Sequence, residues 1–409
     1  MSDDPYILIT ADTHAGASVV QYRDYLESRY HDAFDDWRRG SSSGEKRDRT
    51  SRRKLQNWDR EVRTEDQNSQ GVVGEVVFPN TVPPFYPKSV VTAQPPSPED
   101  YELRLAGARA HNRWLADFCA EDPHRRAGVG LLLPNDIDDA IADIEFIANA
   151  GLRGGVLLPL VPPDCTWVPA LHDPAWDPVL AAIQDHDLVM NQHSGQGLPN
   201  YGTGLVAEAL WVSEVVFYCQ RGFRSLLMSG AFERFPNLKY IITESGCAWV
   251  PDTLAALDRI HMGVTAGAIG ELKYDTAEWG LKEPPSFYAR RNCWYGASFP
   301  GAADLAGIDI VGEDKICWGN DYPHSEGTFP YTLESLRLTF SDIPEDRRRK
   351  LLGLNAAALY DFDLDELLPL AQEHGPTPTE IDVPLRADEI PSDSLCYLFM
   401  GARRALSGK

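Results

Sequence analysis

GVLLPL, residues 155–160, is apolar at every position. A strand with one wet face alternates apolar and polar residues, so an unbroken apolar run fits a strand covered on both faces, as in a parallel sheet. Working outward, seven further runs read the same way: 6–10, 72–78, 128–133, 188–192, 240–243, 293–296 and 316–319. Segments of helical character lie between them, at 100–119, 135–150, 175–185, 205–233, 251–262, 302–308 and 332–341. Such alternation predicts βα units, and eight of them predict an α/β fold, a closed (β/α)8 TIM barrel. An open doubly wound sheet is the competing arrangement.

The barrel accounts for residues 1–363 as one domain, with residues 364–409 as a C-terminal extension. The link from the first strand to the second, about 15–70, is far longer than an ordinary βα loop. It holds a basic cluster, Lys46, Arg47, Arg49, Arg52, Arg53 and Lys54. This insertion reads either as a solvated loop or as a lid that offers positive charge to an anionic substrate. The extension carries SLCYLFM (394–400), which suits a wrapping arm or a homo-oligomer contact.

Of 409 residues, 43% are hydrophobic and 10% aromatic, which provides for a large core. Sixty-one acidic against 38 basic residues leave a net charge of −23, which argues against nucleic acid or an anionic membrane as partner. The opening MSDDPYILIT lacks the basic start of a signal peptide, and no apolar stretch reaches the roughly 18 residues of a membrane span. The expected location is cytoplasmic. Seven cysteines without Cys-x-x-Cys spacing read as reduced, buried thiols.

Polar residues that can bind metal follow several of the strands. The first ends in ITADTHAG, with Asp12 and His14 two residues apart and so on one side of an extended chain. The fifth ends in MNQHSGQG with His193, the sixth in IITESG with Glu244, and the eighth in CWGNDYPHSEGTFP with Asp321 and His324. Strand C-terminal ends converge at the mouth of a barrel, so these distant residues become neighbours. The second strand adds Glu75 in GEVVFPN, a carboxylate costly to bury unless it ligates a metal, is otherwise paired, or orients a histidine from behind. The remaining histidines fall in loops or helices and read as structural.

Four carboxylates and three imidazoles make a hard, oxygen-rich set that favours Fe(II) or Mn(II) over tetrahedral zinc. On these motifs, together with FPNLKYIITESG and LLGLNAAALYDF, the chain resembles the amidohydrolase-2 branch of the amidohydrolase superfamily over about residues 6–362. The resemblance implies a metal site at Asp12, His14, His193 and Asp321. Three departures stand out: Asp-x-His in place of His-x-His, Glu244 in place of a strand-six histidine, and no lysine on the fourth strand (RGGVLLPLVP) to become a carbamate. The chain is also similar to amidohydrolase-like barrels that are non-haem di-iron oxygenases, with coenzyme A thioesters as common substrates.

The leading expectation is therefore a di-iron monooxygenase, using two Fe(II) and O2 to hydroxylate an organic acid or CoA-linked substrate. All seven residues, Asp12, His14, Glu75, His193, Glu244, Asp321 and His324, would serve as ligands. The alternative is a hydrolase or non-oxidative decarboxylase with a single Zn or Mn, in which His324 or Glu244 is the general acid or base. A metal-free ligand-binding protein is the third class.

Overall fold

The computed structural model describes residues 4–40, 51–276 and 279–406. Eight parallel strands stand side by side in chain order: β1 (Leu8–Ala15), β2 (Val72–Pro79), β3 (Arg126–Leu131), β4 (Gly155–Leu157), β5 (Val189–His193), β6 (Lys239–Thr243), β7 (Cys293–Ser298) and β8 (Ile316–Gly319). Just past β8 the chain turns back onto β1. The Asp321 amide donates to the Asp12 carbonyl at 3.0 Å, and the His14 amide to the Tyr322 carbonyl at 2.7 Å. These bonds bring the two edges together, and the molecule is a (β/α)8 TIM barrel.

Two apolar layers explain the unbroken strand sequences. Ile9, Leu157, Val189, Ile241 and Cys317 pack inside the barrel, while their neighbours Leu8, Val156, Met190, Tyr240, Ile242, Ile316 and Trp318 pack outward against the helices. Side chains alternate across a strand, so both faces are dry and both must be apolar.

The helices fall where the spacing predicts, among them Tyr101–Ala120, Ile137–Asn149 and Val250–Thr265. Asp136 caps one of them, its carboxylate accepting from the amides of Asp138 and Asp139 at 3.0 Å. The segment expected as one helix over 205–233 divides into Leu205–Met228 and Ala231–Arg234. Gly230, at φ 73°, turns the chain in the left-handed region where other residues are strained.

The described parts of the insertion are more ordered than a solvated loop. They form helices at Tyr22–Tyr25, His31–Gly40, Arg52–Leu55 and Arg60–Ser69. Phe34 is fully buried there, with its ring centroid 5.8 Å from that of Trp37. Lys46, Arg47 and Arg49 lie outside the described residues. Arg52 is spent on ion pairs with Glu65, at 3.0 Å, and Asp66.

The extension wraps the barrel. The Tyr6 amide donates to the Pro376 carbonyl at 2.9 Å, and Cys396 and Phe399 bury themselves against Phe299, Tyr331 and Leu338. Leu395, Tyr397 and Met400 stay exposed. All seven cysteines are free and buried, and no helix among the described residues is long and apolar enough to cross a membrane.

Candidate metal centre

Asp12 and His14 lie near the end of β1, and both are completely enclosed. The β1–β2 register slips between Thr10 and Thr13, an irregularity of the kind that re-aims side chains beside active sites. Asp12, His14 and His193 bring one ligand atom each within 4.8 Å of one another. His14 Nε2 is 3.3 Å from Asp12 Oδ1 and 3.4 Å from Asp321 Oδ1, and His193 Nε2 is 3.3 Å from Asp12 Oδ1. Each imidazole is oriented from behind. His14 Nδ1 faces the Pro79 carbonyl at 3.2 Å, and His193 Nδ1 faces the Ser194 carbonyl at 3.0 Å. Nδ1–H donation to these carbonyls leaves both Nε2 lone pairs facing the centre, the arrangement that metal-binding histidines use. Phe78 forms an apolar wall, its ring 4.9 Å from that of His193.

Glu244 directly follows β6 and Asp321 comes two residues after β8, and both adopt left-handed backbone, at φ 59° and 56°. Non-glycine residues held there cost about 1–3 kcal/mol each and cluster at functional sites. His324 Nδ1 lies 2.7 Å from Asp321 Oδ1, and its Nε2 lies 3.1 Å from Asn80 Oδ1. Two more groups of potential ligands adjoin the first: His14, Asp321 and His324, and Glu244, Asp321 and Glu326. Sequence reasoning missed Glu326, which sits two residues past His324 in the quoted DYPHSE stretch. It also missed Ser298, whose hydroxyl bonds Asp12, and Ser194, whose hydroxyl bonds Glu244. A lone serine at the end of a strand carries no sequence signal.

Glu75, the seventh expected ligand, stands in none of these groups. Arg63, from the insertion, donates to its carboxylate from Nε at 2.9 Å and from Nη2 at 2.7 Å. Thr13 and Gln67 donate to Oε2 at 3.1 and 3.0 Å. Burial pushes the Glu75 carboxyl up, but Arg63, with Arg126 and Arg125 behind it, holds it down at about 2. With these donors it takes the place behind the β1 backbone that the sequence left open beside ligation. Arg63 also donates to the His14 carbonyl at 2.8 Å.

The electrostatics of the remaining cluster call for a cation. Burial drives the His14 imidazole down, yet hydrogen bonds and charge from Asp12 and Asp321 outweigh it and lift it to about 10. The Asp12 carboxyl is held far below its ordinary range, since His14 and His193 overcome its burial. A proton on His14 thus stands where positive charge is needed. Asp321 Oδ2 is buried with no hydrogen-bond partner, and His14 Nε2 has only the long contacts to the Asp12 and Asp321 carboxylates, which is costly in a folded protein unless something else binds them. Buried nitrogen and carboxylate donors aimed at one point fit a divalent ion of the Mn, Fe or Zn type. Glu244 is pushed up to about 7 by burial and by the nearby Asp321 and Asp12 charges, with His193 opposing. It can hold a proton near neutral pH.

Comparison with known proteins agrees with this architecture. A 5-carboxyvanillate decarboxylase from Sphingomonas paucimobilis is 21% identical at TM-score 0.58, the alignment covering 88% of this chain and 100% of that one. An amidohydrolase from Mycobacterium avium subsp. paratuberculosis is 18% identical at TM-score 0.62, covering 87% and 99%. A dihydroxybenzoic acid decarboxylase from a Polaromonas species, with bound manganese and the inhibitor 2-nitroresorcinol, is 19% identical at TM-score 0.59, covering 87% and 97%. At such identities these likenesses establish a shared fold. The sequence profile of the amidohydrolase family matches residues 89–362, more than half of the chain, and on that match this chain belongs to the amidohydrolase family.

Proposed function

We propose that the protein is a metal-dependent, non-oxidative decarboxylase of a small carboxylic acid, with Asp12, His14, His193 and Asp321 holding one divalent ion. The observation that carries this reading is the buried Asp12–His14–His193 cluster, in which both imidazole Nε2 atoms face the Asp12 carboxylate. The ion supplies Lewis acidity and an anchor for the substrate carboxylate. The residues around it do the rest. Loss of CO2 breaks a carbon–carbon bond and leaves its electron pair on carbon, which must then take a proton. Glu244, raised to about 7, and His324, bonded to Asp321 and Asn80, are the groups placed to hold that proton. Phe78 keeps the cluster dry. Hydrolysis uses the same parts, with Glu244 or His324 taking a proton from water instead.

Support comes also from the fold's neighbours, several of which are decarboxylases of hydroxylated benzoates, some with manganese bound. They do not favour the expected iron, O2 or coenzyme A thioester. One observation keeps a two-metal oxygenase as second reading: the groups around Asp321, with His324, Glu244 and Glu326, offer more donors than one ion needs. Metal analysis with turnover under nitrogen separates the two. We expect about one manganese or zinc per chain and anaerobic CO2 release from 5-carboxyvanillate or 2,6-dihydroxybenzoate, with metal and turnover both lost in His193→Ala. About two irons per chain with O2 uptake would overturn the decarboxylase.

A further inference from the structure

A cavity lies at the same end of the barrel as the metal centre. Tyr86, Arg104, Leu131, Leu157, Pro159 and Gln196 are among the residues that line it. Leu131 and Leu157 close β3 and β4, and Gln196 follows β5, so the cavity belongs to the catalytic face. Gln196 joins it to the metal centre: its Oε1 accepts from the His193 amide at 2.9 Å, and its Nε2 donates to the Leu158 carbonyl at 3.1 Å.

Arg104 is the unexplained group. It sits in the first turn of helix Tyr101–Ala120 and is 6% exposed. Its guanidinium lies over the Tyr86 ring at 3.9 Å, and Nη2 donates to the Gln94 carbonyl at 3.3 Å. Its Nε is buried with no hydrogen-bond partner, and among the described residues no carboxylate lies within ion-pair distance of it. Of the other enclosed arginines, Arg63 has Glu75, Arg126 has Glu75 and Glu121, and Arg348 has Asp382, while Arg125, which has no carboxylate, satisfies Nε and Nη2 on the Val73 and Val72 carbonyls at 3.1 and 2.8 Å. A buried cation without a counter-ion is destabilising unless something else balances it. A cation–π contact and one carbonyl supply only part of that balance. The planar guanidinium matches a carboxylate.

We propose that Arg104 and this cavity form a carboxylate subsite, which takes a second acidic group of the substrate while the reacting group lies at the Asp12–His14–His193 cluster. The inference rests on the metal-centre reading for the position of the first group. It makes the substrate class a dicarboxylic acid with an apolar frame, since the rest of the lining is largely leucine and proline. It also explains how a chain of net charge −23 receives a dianion.

Titration calorimetry of the manganese-loaded protein with benzoate, isophthalate and terephthalate tests this. One dicarboxylate should bind at least about tenfold more tightly than benzoate, as a charge-assisted hydrogen bond implies. Arg104→Gln should abolish the preference and Arg104→Lys should retain part of it, both with unchanged manganese content. The same titrations on metal-stripped protein separate this proposal from the metal reading. If benzoate binding is indifferent to manganese while the Arg104-dependent preference persists, the metal reading fails and the subsite stands. Wild-type protein that binds neither dicarboxylate better than benzoate, or an Arg104→Gln preference equal to wild type, would overturn the subsite.

Discussion

At the scale of single residues, chemistry at the site follows from where each strand stops. That Asp12, His14, His193, Glu244, Asp321 and His324 come together is legible in the sequence, because a polar residue just after an apolar run has one location in a barrel, its mouth. The place of Glu75 is not. Its partner Arg63 lies twelve residues upstream on an insertion helix that pattern reading takes for a loop, and only the fold brings the two together. The left-handed backbone at Glu244 and Asp321 was equally invisible, since nothing in ITES or GNDY marks it. Glu244 is argued above to hold a proton, and this role separates it from the ligands. Glu244→Gln keeps size and hydrogen-bonding capacity but removes the titrating group, so turnover should fall by about 10²–10⁴-fold with metal content unchanged. Metal lost together with activity would make Glu244 a ligand instead. For His324→Gln we likewise expect retained metal, and a pH–rate profile that loses one limb. An unaltered profile would remove His324 from proton transfer.

At the scale of elements, the strands were readable wherever they were apolar and misread where function intrudes. β1 was expected to stop at Thr10, yet it continues to Ala15, because Asp12, Thr13 and His14 look like loop residues while hydrogen bonding as strand. The same intrusion makes the approach of β8 to β1 unusually tight. A Cβ added at Gly319 would lie 2.7 Å from Asp12 Cβ and 3.0 Å from Ser298 Oγ, too close for either to remain in place. Gly319 therefore lets β8 press against the carboxylate that faces both histidines. Gly319→Ala should displace Asp12 and weaken manganese binding by about 10–100-fold, the usual range for disturbing a ligand's support. Gly401→Ala is the control: it meets nothing within 4 Å and lies in a helix, where alanine is the better residue by about 1 kcal/mol. Equal manganese affinities in the two variants, measured by competition with a chelator, would show that the β8–β1 approach does not position Asp12.

At the scale of the whole molecule, metal, protons and stability are linked. In the folded protein without metal, Glu244 titrates at about 7 against an ordinary 4.5, and His14 at about 10 against 6.5. Both values are raised, so both groups contribute stability that is complete below the ordinary pKa and is lost as pH climbs through the folded one. For Glu244 that window runs from 4.5 to about 7, and for His14 from 6.5 to about 10. Metal-stripped protein should accordingly lose stability steadily between about pH 5 and pH 9. The ion acts in the opposite sense. It binds the deprotonated ligands, so its affinity rises as those protons leave, and it stabilises only the folded state that assembles the site. The rise in Tm on adding manganese to stripped protein should therefore be larger at pH 8.5 than at pH 6, at one fixed metal concentration. Glu244→Gln should flatten the lower part of the stripped protein's decline and leave the upper part, which His14 sets. A manganese effect that is constant or shrinks with pH would mean that these protons and the ion do not compete for the same atoms, and the assignment of His14 Nε2 as a metal donor would fail with it.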